Sequence, residues 1–313
     1  MLKILCITPV SHLQGILETM KKYGEVTYIP KIKKKQLQTI LKQKKHNCLL
    51  VNPNKQGYIL NKSILKDSDI KLINTCSTGL DHIDIEYCKI NKIKIFSLTN
   101  DYKLTKNLTS TSELAFGLMI SLLRNIQTAS NDVLKYKWDY EPFIGRQIKN
   151  LKVGVLGYGR LGKIFCKQLS GFGADIIVID PFKKNCKYKK LSLKKALPII
   201  DVLVIHIHLN RENEHFINER VIKKMKNDSY IVNTSRGGIV DEHAIIKFLR
   251  LGKLKGYACD VLSDELGNIR KSIILKNARN YNIIVTPHVG GMTYEGQKKA
   301  YLFAIKKFSK LTF

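Results

Sequence analysis

The chain has 313 residues, of which 44% are hydrophobic, so it is long enough for two ordinary domains and apolar enough to bury sizeable cores. Lysine and arginine outnumber aspartate and glutamate by 54 to 25, which gives a formal net charge of +29. This composition excludes a largely disordered chain, and no apolar stretch reaches the roughly 18 residues that a membrane span needs.

The positive charge raises the hypothesis of a nucleic-acid partner, because basic surfaces attract polyanions. The excess is mostly lysine and is spread along the chain, with local runs at 31–35, 42–45 and 183–190 in segments that we expect to be exposed. No nucleic-acid motif and no interleaving of aromatic and basic residues accompanies these runs. We therefore do not expect specific binding of nucleic acid, and attraction of small anionic molecules is the alternative.

The cysteine pattern argues against a zinc site or a disulfide framework. The chain has seven cysteines, an odd number, and contains no C-x-x-C motif. Several lie in apolar runs, so we expect buried, inert thiols. The N-terminal stretch MLKILCITPV is typical of a first strand and lacks the length and cleavage site of a signal peptide, which predicts a cytoplasmic location.

The first hundred residues alternate between apolar strands and helices, which predicts a compact α/β domain with a parallel sheet. The predicted strands are Lys3–Ile7, Val26–Ile29, Cys48–Asn52 and Leu72–Cys76, and the predicted helices are His12–Lys22 and Gln36–Gln43.

A loop of small residues, Ser77 to Asp84, follows the fourth predicted strand. Parallel sheets bind ligands at this edge, and backbone N–H groups here could hold a carboxylate. The alternative is an ordinary strand-to-helix turn with Asp81 or Asp84 near a helix cap. The spacing alone leaves both interpretations open.

Residues 110–150 are predicted to mediate assembly. Ser110–Arg124 is a helix that is apolar around much of its circumference, so we expect it to be buried between domains or in a dimer. Residues 126–150 are predicted to form an irregular arm, which contains the only tryptophan, Trp138. We expect this arm to wrap a partner subunit in a homodimer.

Residues 151–180 have the pattern of a βαβ unit that binds a dinucleotide. The strand Lys152–Leu156 leads into G-x-G-x-x-G at 157–162, the helix Lys163–Leu169 follows, and the second strand, Ile176–Ile179, ends in Asp180. In such a unit Gly157 permits the tight turn, Gly159 lets the backbone approach a pyrophosphate, and Gly162 allows close packing of helix and strand. Asp180 stands where a carboxylate can accept hydrogen bonds from a ribose 2′-hydroxyl.

The remaining chain continues the same alternation. The predicted strands are Val202–Ile207, Tyr230–Thr234, Gly256–Asp260 and Ile283–Pro287, and the predicted helices are Asp241–Leu251 and Thr293–Phe308. His206 and His208 would share one face of their strand, which raises the alternative of a metal site. No third ligand has a suitable spacing, so we expect no metal and place His206 at a strand end near the nucleotide.

Three residues follow three successive predicted strands: Arg236, Glu265 and His288. Strand ends at that edge of a doubly wound sheet converge on the ligand. A guanidinium can hold a carboxylate in a bidentate fashion, and a histidine can carry a proton near neutral pH. A carboxylate beside that histidine favours its protonated form and fixes its orientation. Together with a nicotinamide, this set suits the reversible oxidation of a 2-hydroxy acid.

At these motifs the chain resembles the D-isomer-specific 2-hydroxyacid dehydrogenases, which include phosphoglycerate, glycerate and D-lactate dehydrogenases. The matching segments, which cover nearly the whole chain, are Ser77-Thr78-Gly79 through Asp84, Ser110–Arg124, Lys137-Trp138 with Gly145, Gly157–Gly162 with Asp180, Asn233-Thr234-Ser235-Arg236-Gly237, Asp260-Val261 with Glu265, and Thr286-Pro287-His288.

The resemblance implies an α/β protein with two Rossmann-like domains that have parallel sheets. The NAD-binding domain, 101–287 with its dimerisation arm, would be inserted into a discontinuous substrate domain formed by 1–100 and 288–313. The expected NAD-binding residues are Ser110, Gly157, Tyr158, Gly159, Arg160, Leu161, Gly162, Asp180, His206, Thr234, Ser235 and Asp260. The expected substrate-binding residues are Asn52, Ser77, Thr78 and Gly79, beside Arg236, Glu265 and His288 as the catalytic set.

The chain departs from the family pattern in two motifs. The family's H-x-P-L-T reads His206-Ile207-His208-Leu209-Asn210, and its S-V-A-E reads Ser110-Thr111-Ser112-Glu113. Neither change removes chemistry, although both could alter contacts with the nucleotide. Because the sequence ends at Phe313, we also expect that the regulatory domain of some phosphoglycerate dehydrogenases is absent.

Two alternative functions stay open. One is an NADPH-linked 2-keto acid reductase, against which Asp180 argues because its carboxylate would repel a 2′-phosphate. The other is a non-enzymatic, NAD-sensing corepressor, since such relatives can keep the catalytic set. The substrate cannot be named: the loop Val51–Lys55 is expected to line the pocket and differs from the arginine-rich loops expected for phosphorylated acids.

Overall fold

The computed structural model describes residues 1–53 and 57–310, which form two compact units. The first unit comprises Met1–Leu108 and the segment from Met292 onward, and the second is Thr109–Gly291. The expected breaks at 100/101 and 287/288 thus differ from the observed ones at 108/109 and 291/292. Residues after 100 stay with the first unit because the Lys307 ammonium contacts both the Asp101 carboxylate and the Ser97 carbonyl.

The first unit is a five-stranded parallel sheet in the order β2-β1-β3-β4-β5. Its strands are β1 (Leu2–Cys6), β2 (Gly24–Tyr28), β3 (Cys48–Val51), β4 (Leu72–Thr75) and β5 (Lys94–Phe96). Its α-helices are Ile16–Lys21, Lys34–Lys42, Lys62–Leu65, Ile85–Ile90, Tyr102–Thr105 and Tyr294–Lys306, and a 3₁₀ turn follows at Lys307–Lys310.

Hydrophobic clusters cover both faces of this sheet, because successive side chains of a strand point to opposite faces. In β1, Ile4 packs in one cluster with helix residues such as Met20 and Tyr301, while Leu5 packs in the other with Leu37. A strand that is buried on both faces must be apolar at nearly every position, which is why β3 is apolar throughout and β1 is apolar except at Lys3.

The second unit is a seven-stranded parallel sheet in the order β12-β11-β10-β9-β6-β7-β8. Its strands are β6 (Lys152–Leu156), β7 (Asp175–Ile179), β8 (Lys189–Lys190), β9 (Val202–Ile205), β10 (Ser229–Asn233), β11 (Leu254–Cys259) and β12 (Ile283–Val285). Its α-helices are Ser110–Leu123, Ile126–Val133, Arg160–Ser170, Leu193–Ala196, Glu219–Lys223, Glu242–Arg250 and Ile273–Asn277, with 3₁₀ turns at Glu141–Phe143, Gly237–Ile239 and Ile269–Lys271. The expectation of two Rossmann-like domains with parallel sheets is confirmed.

Two expectations for residues 110–150 need correction. The apolar helix Ser110–Leu123 packs within the second unit, against that unit's own sheet and the helix Arg160–Ser170, so neither a domain boundary nor a dimer is needed to explain its burial. The arm that follows is only partly irregular, because it contains the helix Ile126–Val133 and a 3₁₀ turn at Glu141–Phe143.

Polar contacts fasten the C-terminal end of the arm to the base of the sheet. The Asp201 carboxylate accepts hydrogen bonds from the Arg146 guanidinium at 3.1 Å, the Lys226 ammonium at 2.6 Å and the Lys152 backbone N–H at 2.8 Å. Burial raises the pKa of Asp201, but the three donors outweigh burial, so the pKa lies below its ordinary value. Gly145 lies so close to the preceding helix that a Cβ there would stand 2.2 Å from the Leu123 carbonyl oxygen.

All seven cysteines are free thiols and six of them are buried, as expected for core residues. Within residues 1–53 and 57–310, none of the helices has the length and apolar character to cross a membrane. Asn54 and Lys55 of the expected pocket loop lie outside the described residues.

Candidate active site

The glycine-rich loop has the geometry that a dinucleotide requires. Gly157 has a φ of +95°, and a Cβ there would stand 2.6 Å from the His206 carbonyl oxygen. A Cβ on Gly162 would stand 2.0 Å from the Gly157 carbonyl oxygen. By contrast, no heavy atom of the described residues lies within 4 Å of the corresponding position on Gly159. Two glycines therefore permit close packing, while the third leaves open space where the backbone N–H groups start a helix.

Asp180 follows β7 and ties that strand end to the glycine-rich loop. Its carboxylate accepts hydrogen bonds from the backbone N–H groups of Tyr158 at 2.8 Å, Phe182 at 2.9 Å and Lys183 at 3.2 Å. The residue is only 9% exposed. Asp180 thus orders the glycine-rich loop, and its expected contact with a ribose hydroxyl stays a prediction from the sequence.

The three expected nucleotide-binding residues between the glycines differ in what they offer. Tyr158 is buried in the core and its ring packs edge-on against Tyr188, with 6.2 Å between centroids, so only its backbone belongs to the loop. Burial raises the pKa of the Tyr158 phenol to about 12. Arg160 and Leu161 open the following helix and are half-buried, and burial lowers the pKa of the Arg160 guanidinium.

Two buried polar side chains at neighbouring strand ends lack partners within the protein. His206 follows β9 and Thr234 follows β10; they are 9% and 6% exposed. Among the described residues, both ring nitrogens of His206 and the hydroxyl of Thr234 lack a hydrogen-bond partner. Burial, and then the charge of Arg160, lowers the pKa of His206 to about 3, so its ring is neutral. Buried polar groups normally find partners, so these orphaned atoms fit a polar ligand beside the glycine-rich loop.

The two expected nucleotide-binding serines are held close to this loop. Ser235 donates a hydrogen bond from its hydroxyl to the Ile205 carbonyl at 2.9 Å, which joins the ends of β10 and β9. Ser110 is buried at the start of its helix. Ser112, which the sequence did not single out, donates to the Leu161 carbonyl at 2.9 Å and so anchors that helix to the glycine-rich loop.

Glu265 and His288 form a pair at the ends of β11 and β12. The Glu265 Oε1 atom lies 2.8 Å from the His288 Nδ1 atom, and both side chains are a little under one-third exposed. An ionised carboxylate can only accept a hydrogen bond, so this contact places a proton on Nδ1. The Leu262 backbone N–H donates to the other carboxylate oxygen of Glu265 at 3.4 Å, which helps to orient it.

Asp260 holds the turn that carries His288. Its Oδ1 atom accepts from the Thr286 hydroxyl at 2.6 Å and the Val289 N–H at 2.7 Å, and its Oδ2 atom accepts from the Gly290 N–H at 2.7 Å. Within this turn His288 has a φ of +54°, a left-handed conformation that costs energy for a residue with a side chain. The pKa of Asp260 is raised above its ordinary value, because burial outweighs the hydrogen bonds and the charge of His288, which lower the pKa. Asp260 was expected to bind the nucleotide, and the structure assigns both of its oxygens to this turn.

Arg236 stands in an extended conformation after β10. The Asn233 side chain spans its loop, donating to the Arg236 carbonyl at 2.9 Å and accepting from the Ser235 N–H at 3.0 Å. The guanidinium donates to the Ser235 carbonyl at 2.8 Å. The adjacent Gly237 packs directly on the loop that leads to Glu265, because a Cβ there would stand 2.0 Å from the Leu262 carbonyl carbon. The arginine loop and the glutamate loop are therefore in backbone contact.

The expected substrate-binding loop lies in the first unit, after β4. The Ser77 hydroxyl donates to the Gly79 carbonyl at 2.7 Å, and the Thr78 carbonyl accepts from Thr99 at 2.8 Å. In the described part of the chain, the backbone N–H groups of Thr78 and Gly79 make no hydrogen bond. These two donors are therefore suited to an anionic group.

Two motifs had a second interpretation: the loop from Ser77 to Asp84 as a helix-capping turn, and His206 with His208 as a metal site. Asp84 caps the helix Ile85–Ile90 by accepting a hydrogen bond from the Tyr87 N–H at 2.9 Å. The alternative interpretation of this loop, a strand-to-helix turn with Asp84 at a helix cap, therefore also describes the structure. His206 is buried and His208 is exposed, since β9 ends at Ile205 and the strand alternation does not continue. Among residues 1–53 and 57–310, no group of three or more His, Cys, Asp or Glu side chains is arranged to hold a metal ion.

Comparison with known proteins places the chain in a family. Residues 116–290 match the model of the D-isomer specific 2-hydroxyacid dehydrogenase, NAD binding domain. The D-3-phosphoglycerate dehydrogenase of Methanocaldococcus jannaschii is 28% identical over 99% of this chain and 57% of its own length, so the chain spans little more than half of that relative. The hydroxypyruvate reductase of Thermotoga maritima is 30% identical over 77% of this chain and 78% of its own.

Among solved structures, an acyclic imino acid reductase in complex with NADPH and D-Arg superimposes with a TM-score of 0.79 over 97% of this chain and 94% of that chain, at 21% identity. At that identity the likeness shows the fold alone. The fold and the glycine-rich loop are those of a dinucleotide-binding protein. The chain belongs to the D-isomer-specific 2-hydroxyacid dehydrogenase family.

Replacing Asp260 by asparagine should destabilise the second unit. An amide has one acceptor oxygen, and its NH₂ group would face a donor, so at least one buried N–H loses its partner. We expect Asp260→Asn to lower the free energy of unfolding by about 2–3 kcal/mol in a urea titration.

Asp241→Asn is the matched control, because Asp241 caps its helix through one oxygen only, Oδ1. Asparagine caps equally well, so the control should change stability by less than about 0.5 kcal/mol. Equal effects of the two substitutions would contradict the assigned role of Asp260.

Proposed function

We propose that this protein is an NAD-dependent dehydrogenase that interconverts a D-2-hydroxy acid and the corresponding 2-keto acid. The observation that carries the proposal is the hydrogen-bonded pair Glu265–His288 in the unit that also carries the glycine-rich loop. Family membership supports the reaction class, and similar proteins include a D-3-phosphoglycerate dehydrogenase and a hydroxypyruvate reductase.

His288 supplies the proton transfer that the reaction needs. Because Nδ1 is held by the Glu265 carboxylate at 2.8 Å, Nε2 is the ring atom that exchanges a proton with the substrate oxygen. Glu265 stabilises the imidazolium that forms when a hydroxy acid is oxidised, and the Asp260-braced turn fixes the ring position. The nicotinamide, when bound, supplies the hydride acceptor or donor.

Arg236 of the second unit is the proposed anchor for the acid. The guanidinium of Arg236 holds the substrate through two parallel N–H groups, a geometry that its planar fork provides and lysine does not. In the first unit, the N–H groups of Thr78 and Gly79 make no hydrogen bond within residues 1–53 and 57–310, so they are suited to an anionic group, with Ser77 beside them. Asn52, directly after β3 in the first unit, stays an expected substrate-binding residue. His206, Thr234 and Ser235, at the ends of β9 and β10, contact the nucleotide.

The catalytic role of His288 has a direct test. Wild-type protein should reduce members of a panel of 2-keto acids with NADH. His288→Asn should lower kcat/KM by at least about 10²-fold in both directions, because general acid–base catalysis contributes roughly that much. The Kd for NADH should not change, since the glycine-rich loop is untouched.

His243→Asn is the matched control, because His243 is exposed on its helix. A His288→Asn enzyme of near wild-type activity would remove this residue from the mechanism, and a wild type inactive on the whole panel would reject the proposed function.

The nucleotide preference is a separate prediction. Asp180 stands at the ribose position and should favour NADH, because a carboxylate repels a 2′-phosphate. One observation favours the NADPH alternative: the three N–H groups on Asp180 partly neutralise it, and lysines follow it at 183, 184, 187, 189 and 190. We expect the carboxylate to dominate, because its oxygens are adjacent to the ribose while the lysine side chains are exposed and screened. Fluorescence titration should give a Kd for NADH at least about ten-fold below that for NADPH, or roughly 1.4 kcal/mol. Equal constants would support the alternative.

We also propose a homodimer formed through the arm. Its apolar side chains are strongly exposed in the single chain: Tyr136 is 100% exposed, Trp138 is 91% exposed, and Leu134, Tyr140 and Ile144 are each 77–78% exposed. An exposed apolar segment of this kind marks an interaction surface. Sedimentation velocity measures the assembly, and a monomer at micromolar concentration would reject the proposal. The cytoplasmic location stays a prediction from the sequence.

A further inference from the structure

Hydrogen bonds hold three successive carbonyl groups of the loop after β4. The Ser77 carbonyl accepts from the Leu98 N–H at 2.9 Å, and the Thr78 carbonyl accepts from the Thr99 hydroxyl at 2.8 Å. The Gly79 carbonyl accepts from the Ser77 hydroxyl at 2.7 Å. Two of these three donors come from residues 98–99, just after β5, the strand that pairs with β4. The exit of the neighbouring strand therefore holds this loop.

The held carbonyls fix the direction of two N–H groups in the loop. A trans peptide is planar and its N–H lies opposite its C=O, so a hydrogen bond on the carbonyl orients the N–H of the next residue. The Ser77 carbonyl shares its peptide with the Thr78 N–H, and the Thr78 carbonyl shares its peptide with the Gly79 N–H. Because both carbonyls point toward residues 98–99, both N–H groups point away from that segment. Successive N–H groups that face one way form a concavity suited to an anion.

The loop satisfies its acceptors but not these donors. Within residues 1–53 and 57–310, the N–H groups of Thr78 and Gly79 make no hydrogen bond, although both residues are half-buried. A turn that served the fold alone would find partners for its donors as well as for its acceptors. This asymmetry favours a loop that is shaped to receive an acceptor from a ligand.

The Thr99 hydroxyl is the part of this arrangement that a substitution can remove, since Leu98 acts through its backbone. Thr99 has one hydroxyl proton and gives it to the Thr78 carbonyl. It must therefore accept the hydrogen bond that joins it to the Ser97 hydroxyl, 3.0 Å away. The Thr99 N–H donates in turn to the Ser97 hydroxyl oxygen at 3.4 Å. The two side chains thus hold each other, and the Thr99 hydroxyl stays directed at the loop.

A lysine near the C-terminal end of the first unit braces the same segment. The Lys307 ammonium contacts the Ser97 carbonyl and the Asp101 carboxylate, which lie on either side of Thr99 in the sequence. The lysine and aspartate side chains are only 13% and 21% exposed. The segment that orients the loop is therefore fixed before any ligand binds, and such preorganisation lowers the cost of binding.

We propose that Thr99 is a positioning residue of the substrate site, which directs the Gly79 N–H, beside the Thr78 N–H, at the carboxylate of the 2-keto acid. The inference rests on the proposed function and deepens it, because it makes recognition of the group common to all 2-keto acids depend on residues 98–99. Thr99 itself does not touch the substrate, since its hydroxyl proton is used by the Thr78 carbonyl.

The experiment compares Thr99→Val with wild type on the smallest and the largest 2-keto acid that the wild type reduces with NADH, from a panel that runs from glyoxylate to phenylpyruvate. Valine keeps the shape of threonine and removes the hydroxyl. We expect KM to rise about five-fold for both acids, because loss of one oriented hydrogen bond weakens binding by roughly this factor. The inhibition constant of oxamate, an unreactive carboxylate, should rise equally. The kcat for both acids and the Kd for NADH should stay within about two-fold.

Two control variants separate the hydroxyl from general effects of substitution. Thr99→Ser keeps the hydroxyl, so its KM values should stay within about two-fold of wild type. Thr39→Val removes a comparable hydroxyl, which donates to the Lys35 carbonyl at 3.1 Å on an exposed helix of the same unit, and it should change no constant. A Thr99→Ser variant as impaired as Thr99→Val would overturn the inference. A rise in KM confined to the larger acid would do the same, because Thr99 would then shape the pocket for the substrate side chain.

The outcomes distinguish this inference from the proposed function. A wild type that reduces 2-keto acids, with a Thr99→Val variant of unchanged KM, rejects the inference alone. A wild type that reduces no member of the panel rejects the proposed function and the inference with it. If Thr99→Val does not fold, Thr99→Ala gives the same comparison, and an unchanged KM in that variant rejects the inference.

Discussion

The second unit depends on the Asp260 carboxylate, which closes the turn after β12. Three donors from that turn converge on its two oxygens, at 2.6 to 2.7 Å. The turn forces His288 into a left-handed conformation, which would relax if it were not held. Because the carboxylate is anchored at the end of β11, the histidine in the turn after β12 takes its position from the neighbouring strand. The Glu265–His288 contact is a consequence of this arrangement.

Short polar side chains also order the loops at other strand ends by hydrogen-bonding to them. Asp180, after β7, binds the Tyr158 N–H of the glycine-rich loop, and Asn233, at the end of β10, spans the loop of Arg236. In the first unit, Asn52 after β3 is joined to Thr8 after β1 through Tyr301. A parallel sheet brings its carboxyl ends to one edge, where backbone groups leave the ladder and need new partners. Aspartate and asparagine supply these partners, and in doing so they order the loops that carry the chemistry.

The fold and much of the candidate site could be predicted from local patterns. Apolar runs identified the central strands, because a strand that is covered on both faces must be apolar throughout. The glycine-rich loop was recognisable because three glycines at fixed spacing lead from a strand into the first turn of a helix. The edge strands β5 and β8 were missed: they have three and two residues, are only partly buried or exposed, and lack an apolar run.

Contacts between distant residues could not be predicted in the same way. Tyr301 and Asn52 are 249 residues apart, and nothing in the sequence near either one indicates the other. The partners of Asp260 come from a segment whose motif drew attention only to its histidine. The prediction that His206 and His208 share one face of a strand was wrong. Their spacing of two residues suggested strand alternation, but β9 ends at Ile205. Local periodicity reports which face is buried, whereas hydrogen bonds between strand ends depend on the closed fold.

The anchored arm has a consequence for how this sequence can diverge. Its start is held where the Asn282 amide donates to the Leu122 carbonyl and the Asn125 side chain, and its end is held by Gly145 and the Asp201 ion pair. Between these points its side chains are largely exposed. Insertions and deletions in related sequences should therefore collect between the two anchors, where a change of length disturbs no buried hydrogen bond. Drift in arm length would alter the proposed dimer contact while the parallel sheet stays the same, so that contact and the sheet can evolve separately.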